Sequence, residues 1–218
     1  MKMLILGASY GSLLSTKLLM AGHDVTLICR SASAALINSE GTEVRIKLRD
    51  EDEHRAIRSD DLPGTINAVT PEQARPEDYD IIALAMQEPQ YSAPAVRGLM
   101  ARIASSRKPC LSIMNMPPLP FLRRIDSLKD VDLENAYDDA SVWRDFEPGL
   151  LSLCSPDPQA FRPLEEGTNI LHVGLPTNFK AAVFADPAHT EMLRRLEADI
   201  AAVTIDGKDV PVKLRVYD

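Results

Sequence analysis

The first 29 residues restrict the possible folds more than any other stretch of the chain. Residues 2–7, KMLILG, predict a short buried strand that stops at a glycine. Residues 10–21 carry leucines at helical spacing, and Gly22 follows them as a helix terminator. Residues 25–29, VTLIC, predict a second buried strand. A strand, a helix and a parallel strand in this order form a right-handed βαβ unit, so the chain is expected to build a parallel sheet.

The same alternation continues along the chain. Apolar runs predict further strands at residues 42–49, 66–70, 80–86, 108–114, 149–155 and 169–176, and amphipathic patterns predict helices at residues 94–106 and 187–203. Strands that alternate with helices are typical of α/β proteins. The sequence therefore predicts a Rossmann-type, doubly wound, mostly parallel sheet with helices on both faces.

The loop after the first strand resembles a dinucleotide-binding loop that has lost one residue. It reads G-A-S-Y-G, where the usual fingerprint is G-x-G-x-x-G, and Ser9 replaces the second glycine. The serine hydroxyl can donate to a phosphate oxygen, and the following helix N-terminus favours an anion. We expect this loop to bind the phosphates of a nucleotide, and a purely structural turn is the alternative. The predicted contact residues are Gly7, Ala8, Ser9, Tyr10, Gly11 and Ser12.

The residue after the second strand predicts which nucleotide binds. Sites that prefer NAD place an acidic residue there to hold the ribose hydroxyl groups, whereas an arginine accommodates a 2′-phosphate. This chain has Arg30 at that position, followed by Ser31, and no acidic residue between Val25 and Ser39. We therefore predict that Arg30 and Ser31 bind the 2′-phosphate side of NADP(H). A merely solvated arginine at a strand end is the alternative.

Composition excludes several other classes of protein. The net charge of −8 argues against a general nucleic-acid partner, which usually needs a basic face. No apolar run approaches the length of a membrane span, and the short N-terminal run does not suit a secretion signal. The three cysteines lie far apart in apolar runs without metal-binding spacing. We expect free thiols, no metal, no membrane association and a cytoplasmic location.

Two families use similar glycine loops. Short-chain dehydrogenases need Lys four residues after a catalytic Tyr, and none of the five tyrosines here has one. By contrast, MKMLILGASYGSLL, AGHDVTLICR, DIIALAMQ and CLSIMNMPP together resemble the N-terminal domain of ketopantoate reductase (2-dehydropantoate 2-reductase). The resemblance implies NADP(H) as cofactor and a small 2-keto acid, or a related carbonyl compound, as substrate.

The resemblance also implies roles for residues outside the glycine loop. Met86 and Gln87 stand at the end of a strand beside the nicotinamide, and Gln87 replaces a lysine of the family. Asn115 matches the family's asparagine, although Met116 replaces the glycine after it. The segment DVPVKLRVYD resembles the linker helix that carries the catalytic lysine, which falls on Lys213.

The resemblance divides the chain into a dinucleotide-binding domain over residues 1–207 and the start of a linker over residues 208–218. The helical C-terminal domain of the family is expected to be absent from this chain. We predict an NADP-dependent oxidoreductase that reduces a 2-keto acid, with a homodimer as a possible assembly. The alternative is a degenerate NADP-binding module with little or no reductase activity. The replacements at Gln87 and Met116 favour it, as does Tyr217, which stands where the family has an asparagine one turn after the lysine.

Overall fold

A computed structural model describes residues 1–9, 11–155 and 160–218. The strands are β1 (Lys2–Leu6), β2 (Asp24–Ile28), β3 (Glu43–Lys47), β4 (His54–Arg58), β5 (Ile66–Val69), β6 (Ile81–Leu84), β7 (Cys110–Ser112), β8 (Leu151–Leu153), β9 (Ala160–Phe161), β10 (Ile170–Val173), β11 (Phe179–Ala182), β12 (Thr204–Ile205), β13 (Lys208–Asp209) and β14 (Leu214–Tyr217). The α-helices are α1 (Gly11–Met20), α2 (Ser31–Glu40), α3 (Pro94–Ser106), α4 (Leu119–Leu122) and α5 (Pro187–Ala201). Short 3₁₀ segments lie at Ser59–Asp61, Pro76–Asp78, Glu88–Ser92, Asp126–Leu128, Glu134–Ala136, Ala140–Trp143 and Pro148–Leu150.

The main sheet has the strand order of the doubly wound dinucleotide-binding fold. Its six strands are parallel and lie in the order β5-β2-β1-β6-β7-β8. When the hairpin β3–β4 is left out, this is the order 3-2-1-4-5-6. The chain reverses direction across the sheet between β1 and β6, and ligands of such folds bind outside the carboxyl ends of the strands at that point. The predicted fold class is confirmed.

Side chains of β1 alternate between two cores, one on each face of the sheet. Met3 and Ile5 pack with α1, α2 and α5, whereas Leu4 and Leu6 pack with α3 and the segment around Trp143. This alternation follows from the two-residue period of a strand. Because both faces are covered, the parallel strands read as continuous apolar runs rather than as alternating ones.

α1 ends in a Schellman motif, as the glycine after it predicts. Gly22 has φ +80°, and its amide donates to the Leu19 carbonyl oxygen at 3.0 Å. The His23 amide donates to the Leu18 carbonyl oxygen at 3.0 Å. These two bonds satisfy carbonyl groups of the last helical turn and direct the chain into β2.

A second sheet packs on the face of the main sheet that α1 also covers. Its four strands lie in the order β4-β3-β10-β9, so the hairpin β3–β4 is extended by strands from much later in the chain. β10 runs parallel to β3 and antiparallel to β9. The strand predicted at residues 169–176 is β10, which pairs with the edge of β3 that β4 leaves open.

The expected helix near the end of the chain is wrong. Leu214–Tyr217 forms β14, which pairs in parallel with β11. Ala181 of β11 in turn forms an antiparallel bridge with Cys154, the residue after β8. The physical reason is the alternation in VKLRVY, where Leu214 is buried while Arg215 and Tyr217 are exposed. A period of two residues suits a strand and not an amphipathic helix. The boundary near residue 208 stays a prediction.

The fold bears on two further expectations, which concern membrane association and the cysteines. None of the described helices is both long enough and apolar enough to cross a bilayer. Cys110 and Cys154 are buried, Cys29 is half-buried, and all three are free thiols. Burial raises the pKa of the Cys110 and Cys154 thiols to about 12, so both are inert core side chains.

Candidate functional site

Backbone hydrogen bonds place the loops after neighbouring strands side by side. The Gly7 amide donates to the Ile28 carbonyl oxygen at 3.1 Å, and the Ala85 amide donates to the Leu6 carbonyl oxygen at 2.9 Å. The ladder therefore continues past the assigned ends of β1, β2 and β6. The segments that follow these strands leave the sheet at one edge, which is the edge where the sequence predicts the site.

Both glycines of the loop are required by close packing. Gly7 has φ +106°, and a Cβ atom there would lie 2.4 Å from the backbone oxygen of Ala85. A Cβ atom on Gly11 would lie 2.4 Å from Cγ2 of Ile5. The first glycine permits the turn out of β1, and the second allows α1 to approach that strand. The shortened loop therefore keeps the two functions that demand glycine.

The described part of the loop before α1 has its carbonyl oxygens satisfied but leaves two of its amides without an acceptor. The Gly11 amide donates to the Gly7 carbonyl oxygen at 3.0 Å, and the hydroxyl of buried Ser12 donates to the Ala8 carbonyl oxygen. Ser9 is exposed, and within the described residues the amides of Ala8 and Ser9 donate no hydrogen bond. These donors lie at the positive end of α1, which suits an anion. Tyr10 lies outside the described residues.

Arg30 follows β2 and immediately precedes α2. Its side chain is exposed, and among the described residues it makes no ion pair with a carboxylate. Ser31 is the first residue of α2 and is also exposed. The structure thus brings both predicted residues to the strand end beside the glycine loop, where the ribose of a dinucleotide is held in this fold.

A second arginine lies beside the glycine loop, and no local sequence pattern points to it. Arg162 follows β9, and its Nη2 donates to the Ala8 carbonyl oxygen at 2.8 Å. Burial lowers the pKa of Arg162, the neighbouring Cys29 raises it, and the charge of Arg30 lowers it further. Arg162 therefore lies between the glycine loop and the end of β2.

Met86 and Gln87 follow β6, which flanks β1 on the side opposite to β2. Cγ of Met86 lies 2.8 Å from the position that a Cβ on Gly7 would take, so this side chain covers the first glycine. The Met86 amide donates to the hydroxyl oxygen of buried Tyr91 at 3.1 Å. Gln87 is the N-cap of the next 3₁₀ segment and exchanges side-chain and backbone hydrogen bonds with Gln90. This capping role is one that a lysine could not take over.

Asn115 stands at the bend that follows β7. The Ile113 amide donates to the Leu84 carbonyl oxygen at 2.8 Å, which places this bend beside the end of β6. Asn115 itself is exposed. A cavity of about 400 Å³ opens beside the bend, and its lining includes Met114, Ser155 and Lys180. The bend therefore borders a space that is large enough for a small organic acid.

Lys213 has its own partners elsewhere in the fold. Its side chain is buried, and Nζ lies 2.7 Å from an Asp209 carboxylate oxygen and donates to the Ala201 carbonyl oxygen at 3.1 Å. None of these partners belongs to the glycine loop or to the bend at Asn115. Within the described residues, the structure therefore does not bring Lys213 together with the predicted cofactor contacts. Its assignment as a catalytic residue stays a prediction.

A second buried lysine lies next to Lys213. Lys17 of α1 is 1% exposed, and its Nζ donates to the carbonyl oxygens of Pro211 at 3.1 Å and Val210 at 3.4 Å. Burial and the charge of Lys213 lower the pKa of Lys17 to about 7, although Asp209 opposes the shift. The two lysines fasten the segment before β14 against α1 and α5.

No metal centre emerges from the described part of the chain, because no three His, Cys, Asp or Glu side chains lie close enough to share an ion. The chemistry of the cleft is therefore that of a glycine loop, two arginines and an asparagine at adjoining strand ends. Such a set of groups can bind an extended, multiply charged anion.

Comparisons with known proteins support the same fold. No family model matches the chain, and no curated protein matches it by sequence. Solved structures do match. A protein assigned as a ketopantoate reductase from Ralstonia solanacearum has a TM-score of 0.67 and 15% identity over 98% of this chain. The 2-dehydropantoate 2-reductase from Methylococcus capsulatus has a TM-score of 0.58 and 14% identity over 97% of this chain.

A further similar structure is a D-mandelate dehydrogenase in a complex with NADH and anilino(oxo)acetate, with a TM-score of 0.61 and 16% identity over the whole chain. The chain spans only 57–59% of the length of these three proteins. The fold that the sequence resemblance implied is confirmed. Because the identities are this low, the comparisons bear on the fold and leave substrate and activity to be argued from the site.

Proposed function

We propose that the chain is the NADP(H)-binding domain of an oxidoreductase that reduces a 2-keto acid or a related carbonyl compound. One observation carries this proposal. Arg30 stands at the end of β2, beside the glycine loop, where an enzyme that prefers NAD would place a carboxylate. The solved structures of similar fold include a 2-dehydropantoate 2-reductase and a D-mandelate dehydrogenase with bound NADH, which supports a nicotinamide cofactor.

The residues that would hold NADP(H) are distributed over three strand ends. The glycine loop and the start of α1 would bind the pyrophosphate, with Ser9 donating from its hydroxyl. Arg30 would pair with the 2′-phosphate through charge-assisted hydrogen bonds. Asn115 would orient the carboxamide or the substrate by hydrogen bonding. The chemistry that this cofactor supplies when bound is hydride transfer to a carbonyl carbon, and the protein positions the reactants.

A second candidate function is cofactor binding without turnover, as in a degenerate relative. The specific observation that favours it is the arrangement of Lys213, whose ammonium group is buried against Asp209 and the Ala201 carbonyl. A proton donor has to reach the carbonyl oxygen of the substrate. Under this reading, Lys213 is structural, and Gln87 serves only as a helix cap.

Binding titrations test the cofactor assignment. Fluorescence titration of the 218-residue chain with NADPH and NADH should show tighter binding of NADPH. The variant Arg30→Ala should reduce the preference by about 10-fold or more, since a hydrogen bond to a charged group contributes about 1.5–3 kcal/mol. Arg30→Asp should reverse it. The exposed Arg49 provides a matched control, because Arg49→Ala removes the same charge elsewhere. Tighter binding of NADH by the unmodified chain would contradict the proposal.

Turnover assays separate the two candidate functions. NADPH oxidation should be followed with ketopantoate and a panel of other 2-keto acids, with this chain and with a version extended by any natural downstream sequence. We expect the 218-residue chain to bind the cofactor and to turn over ketopantoate poorly. Full activity in this chain would refute the need for a second domain. Activity that survives Lys213→Met would exclude Lys213 as the proton donor.

The expected homodimer is a separate prediction. Sedimentation equilibrium with and without NADPH measures it directly. A monomer at all concentrations would contradict it without affecting the cofactor assignment.

A further inference from the structure

We infer that Arg162, supplied by the second sheet, binds the 2′-phosphate of NADP(H) together with Arg30. This inference rests on the proposed function, because it assigns a second residue to the same cofactor. The second sheet would then position a cofactor-binding residue, because Arg162 directly follows β9.

The first argument for this inference is the position of the Arg162 side chain. Its Nη2 donates to the carbonyl oxygen of Ala8, inside the turn between β1 and α1, at 2.8 Å. Cys29 and Arg30 lie close enough that each acts on the charge of Arg162. The guanidinium therefore lies between the first glycine turn and the end of β2. In doubly wound folds this crevice holds the adenosine ribose, whose 2′ position faces the end of the second strand.

The second argument is that Arg162 has hydrogen-bond donors without an acceptor in the part of the chain that the structure describes. A guanidinium has five N–H donors, and the bond to Ala8 uses one of them. Nε of Arg162 is fully shielded from solvent and has no partner within the described residues. A buried donor without an acceptor costs free energy, so a shift of the Arg162 side chain that brings this N–H to a phosphate oxygen is favoured.

Charge carries the third step. Arg30 and Arg162 repel each other, and within the described part of the chain no carboxylate lies within ion-pair distance of either. Other arginines of the second sheet do have such partners. Arg45, for example, pairs with Glu43 at 2.7 Å and with Glu166 at 2.6 Å. Two adjacent guanidinium groups without a counter-ion favour a dianion, and a planar arginine fork matches phosphate oxygens well.

The competing role for Arg162 is a contact with the pyrophosphate, which NADPH and NADH share. A third possibility is that Arg162 only fastens the second sheet to the glycine loop. The three roles predict different ligand dependences, so a set of ligands that differ only in the 2′-phosphate distinguishes them.

The experiment uses adenosine 2′,5′-bisphosphate and adenosine 5′-monophosphate as probes of the adenosine half-site, and NADPH and NADH as complete cofactors. Isothermal titration calorimetry of the unmodified chain, Arg162→Gln and Arg162→Lys gives all affinities. Arg58→Gln serves as the matched control, because Arg58 lies in β4 of the same sheet with an exposed side chain. Thermal unfolding of each variant shows whether the fold survives.

We expect Arg162→Gln to weaken the bisphosphate and NADPH by about 10-fold or more, as for the loss of a charged hydrogen bond, and to change the monophosphate and NADH by less than about 2-fold. Arg162→Lys should retain part of the affinity for the bisphosphate, and Arg58→Gln should change none of the four affinities.

Three outcomes would overturn the inference. Equal weakening of NADPH and NADH by Arg162→Gln would assign Arg162 to the pyrophosphate. Unchanged affinities for all four ligands in a folded Arg162→Gln variant would leave it a purely structural role. Failure of the unmodified chain to bind any of the four would overturn the proposed function as well, whereas the first two outcomes leave that function standing.

Discussion

Replacing Lys17 with methionine should remove most of the increase in stability that the chain gains between neutral and alkaline pH. Lys17 lies in the last turn of α1 and is almost completely buried against the Val210 and Pro211 carbonyls. Burial, then the charge of Lys213, lowers the pKa of Lys17 from 10.5 to about 7, against an opposing effect of Asp209. The methionine side chain is unbranched, only one atom shorter than that of lysine, and cannot ionise.

The direction of this pH dependence follows from the number of protons that the folded and the unfolded chain bind. The folded-state pKa of Lys17 lies below the unfolded value, so between about pH 7 and 10.5 the unfolded chain binds more protons, and the free energy of unfolding rises with pH in that window. A pKa difference of about 3.5 corresponds to about 5 kcal/mol over the whole window. Between pH 6.5 and 9.5 the expected rise is about 3 kcal/mol.

Urea unfolding at pH 6.5, 8 and 9.5 measures the effect as the difference between the unmodified chain and Lys17→Met. Groups other than Lys17 cancel in this difference to a first approximation. Lys47→Met is the control, because Lys47 is an exposed lysine of β3. A difference that stays constant across the three pH values would refute the reasoning, since Lys17 would then keep its proton in the folded chain.

Three other substitutions test separate features. Gly7→Ala should lower the free energy of unfolding by about 1–3 kcal/mol, measured by urea unfolding, because φ is +106° and Cβ would meet the Ala85 oxygen. Ser9→Leu should leave thermal unfolding unchanged and abolish NADPH binding by filling the space above the start of α1, and unchanged affinity would place the phosphates elsewhere. Arg107→Gly should raise the free energy of unfolding by about 0.5–1 kcal/mol, because Arg107 ends α3 at φ +54°. No gain in the unfolding midpoint would show that its exposed ion pair with Glu147 outweighs the strain.

The place of the glycine loop and of Arg30 in the fold could be predicted because the signals for it are local. Gly7, Gly11 and Arg30 belong to one βαβ unit, and the carboxyl ends of parallel strands meet at one edge of a sheet. Asn115 came from the family resemblance instead, and the structure places it just after β7, which lies beside β6. Short apolar runs bounded by turns gave the strands, and the order of strands and helices gave the fold class.

Arg162 could not be predicted, because its neighbour Ala8 is 154 residues away in the chain and no local pattern links them. The last residues of the chain differ from Arg162, because their own hydrophobic pattern indicates their secondary structure. The alternation of Val212, Leu214 and Val216 with polar residues favoured a strand, whereas the expected helix came from the family resemblance. Here the local hydrophobic period was the better guide to the fold.

The second sheet has a consequence for the order in which the chain folds. Asn169 donates to the Gly41 carbonyl oxygen across 128 residues, and the parallel pairing of β10 with β3 spans a similar separation. Contacts between such distant segments form late, because closing a long loop costs entropy before pairing repays it. The βαβ unit with Arg30 can therefore form early, while Arg162 arrives only when β9 and β10 dock. Nascent chains would acquire the glycine loop first and the complete two-arginine crevice last.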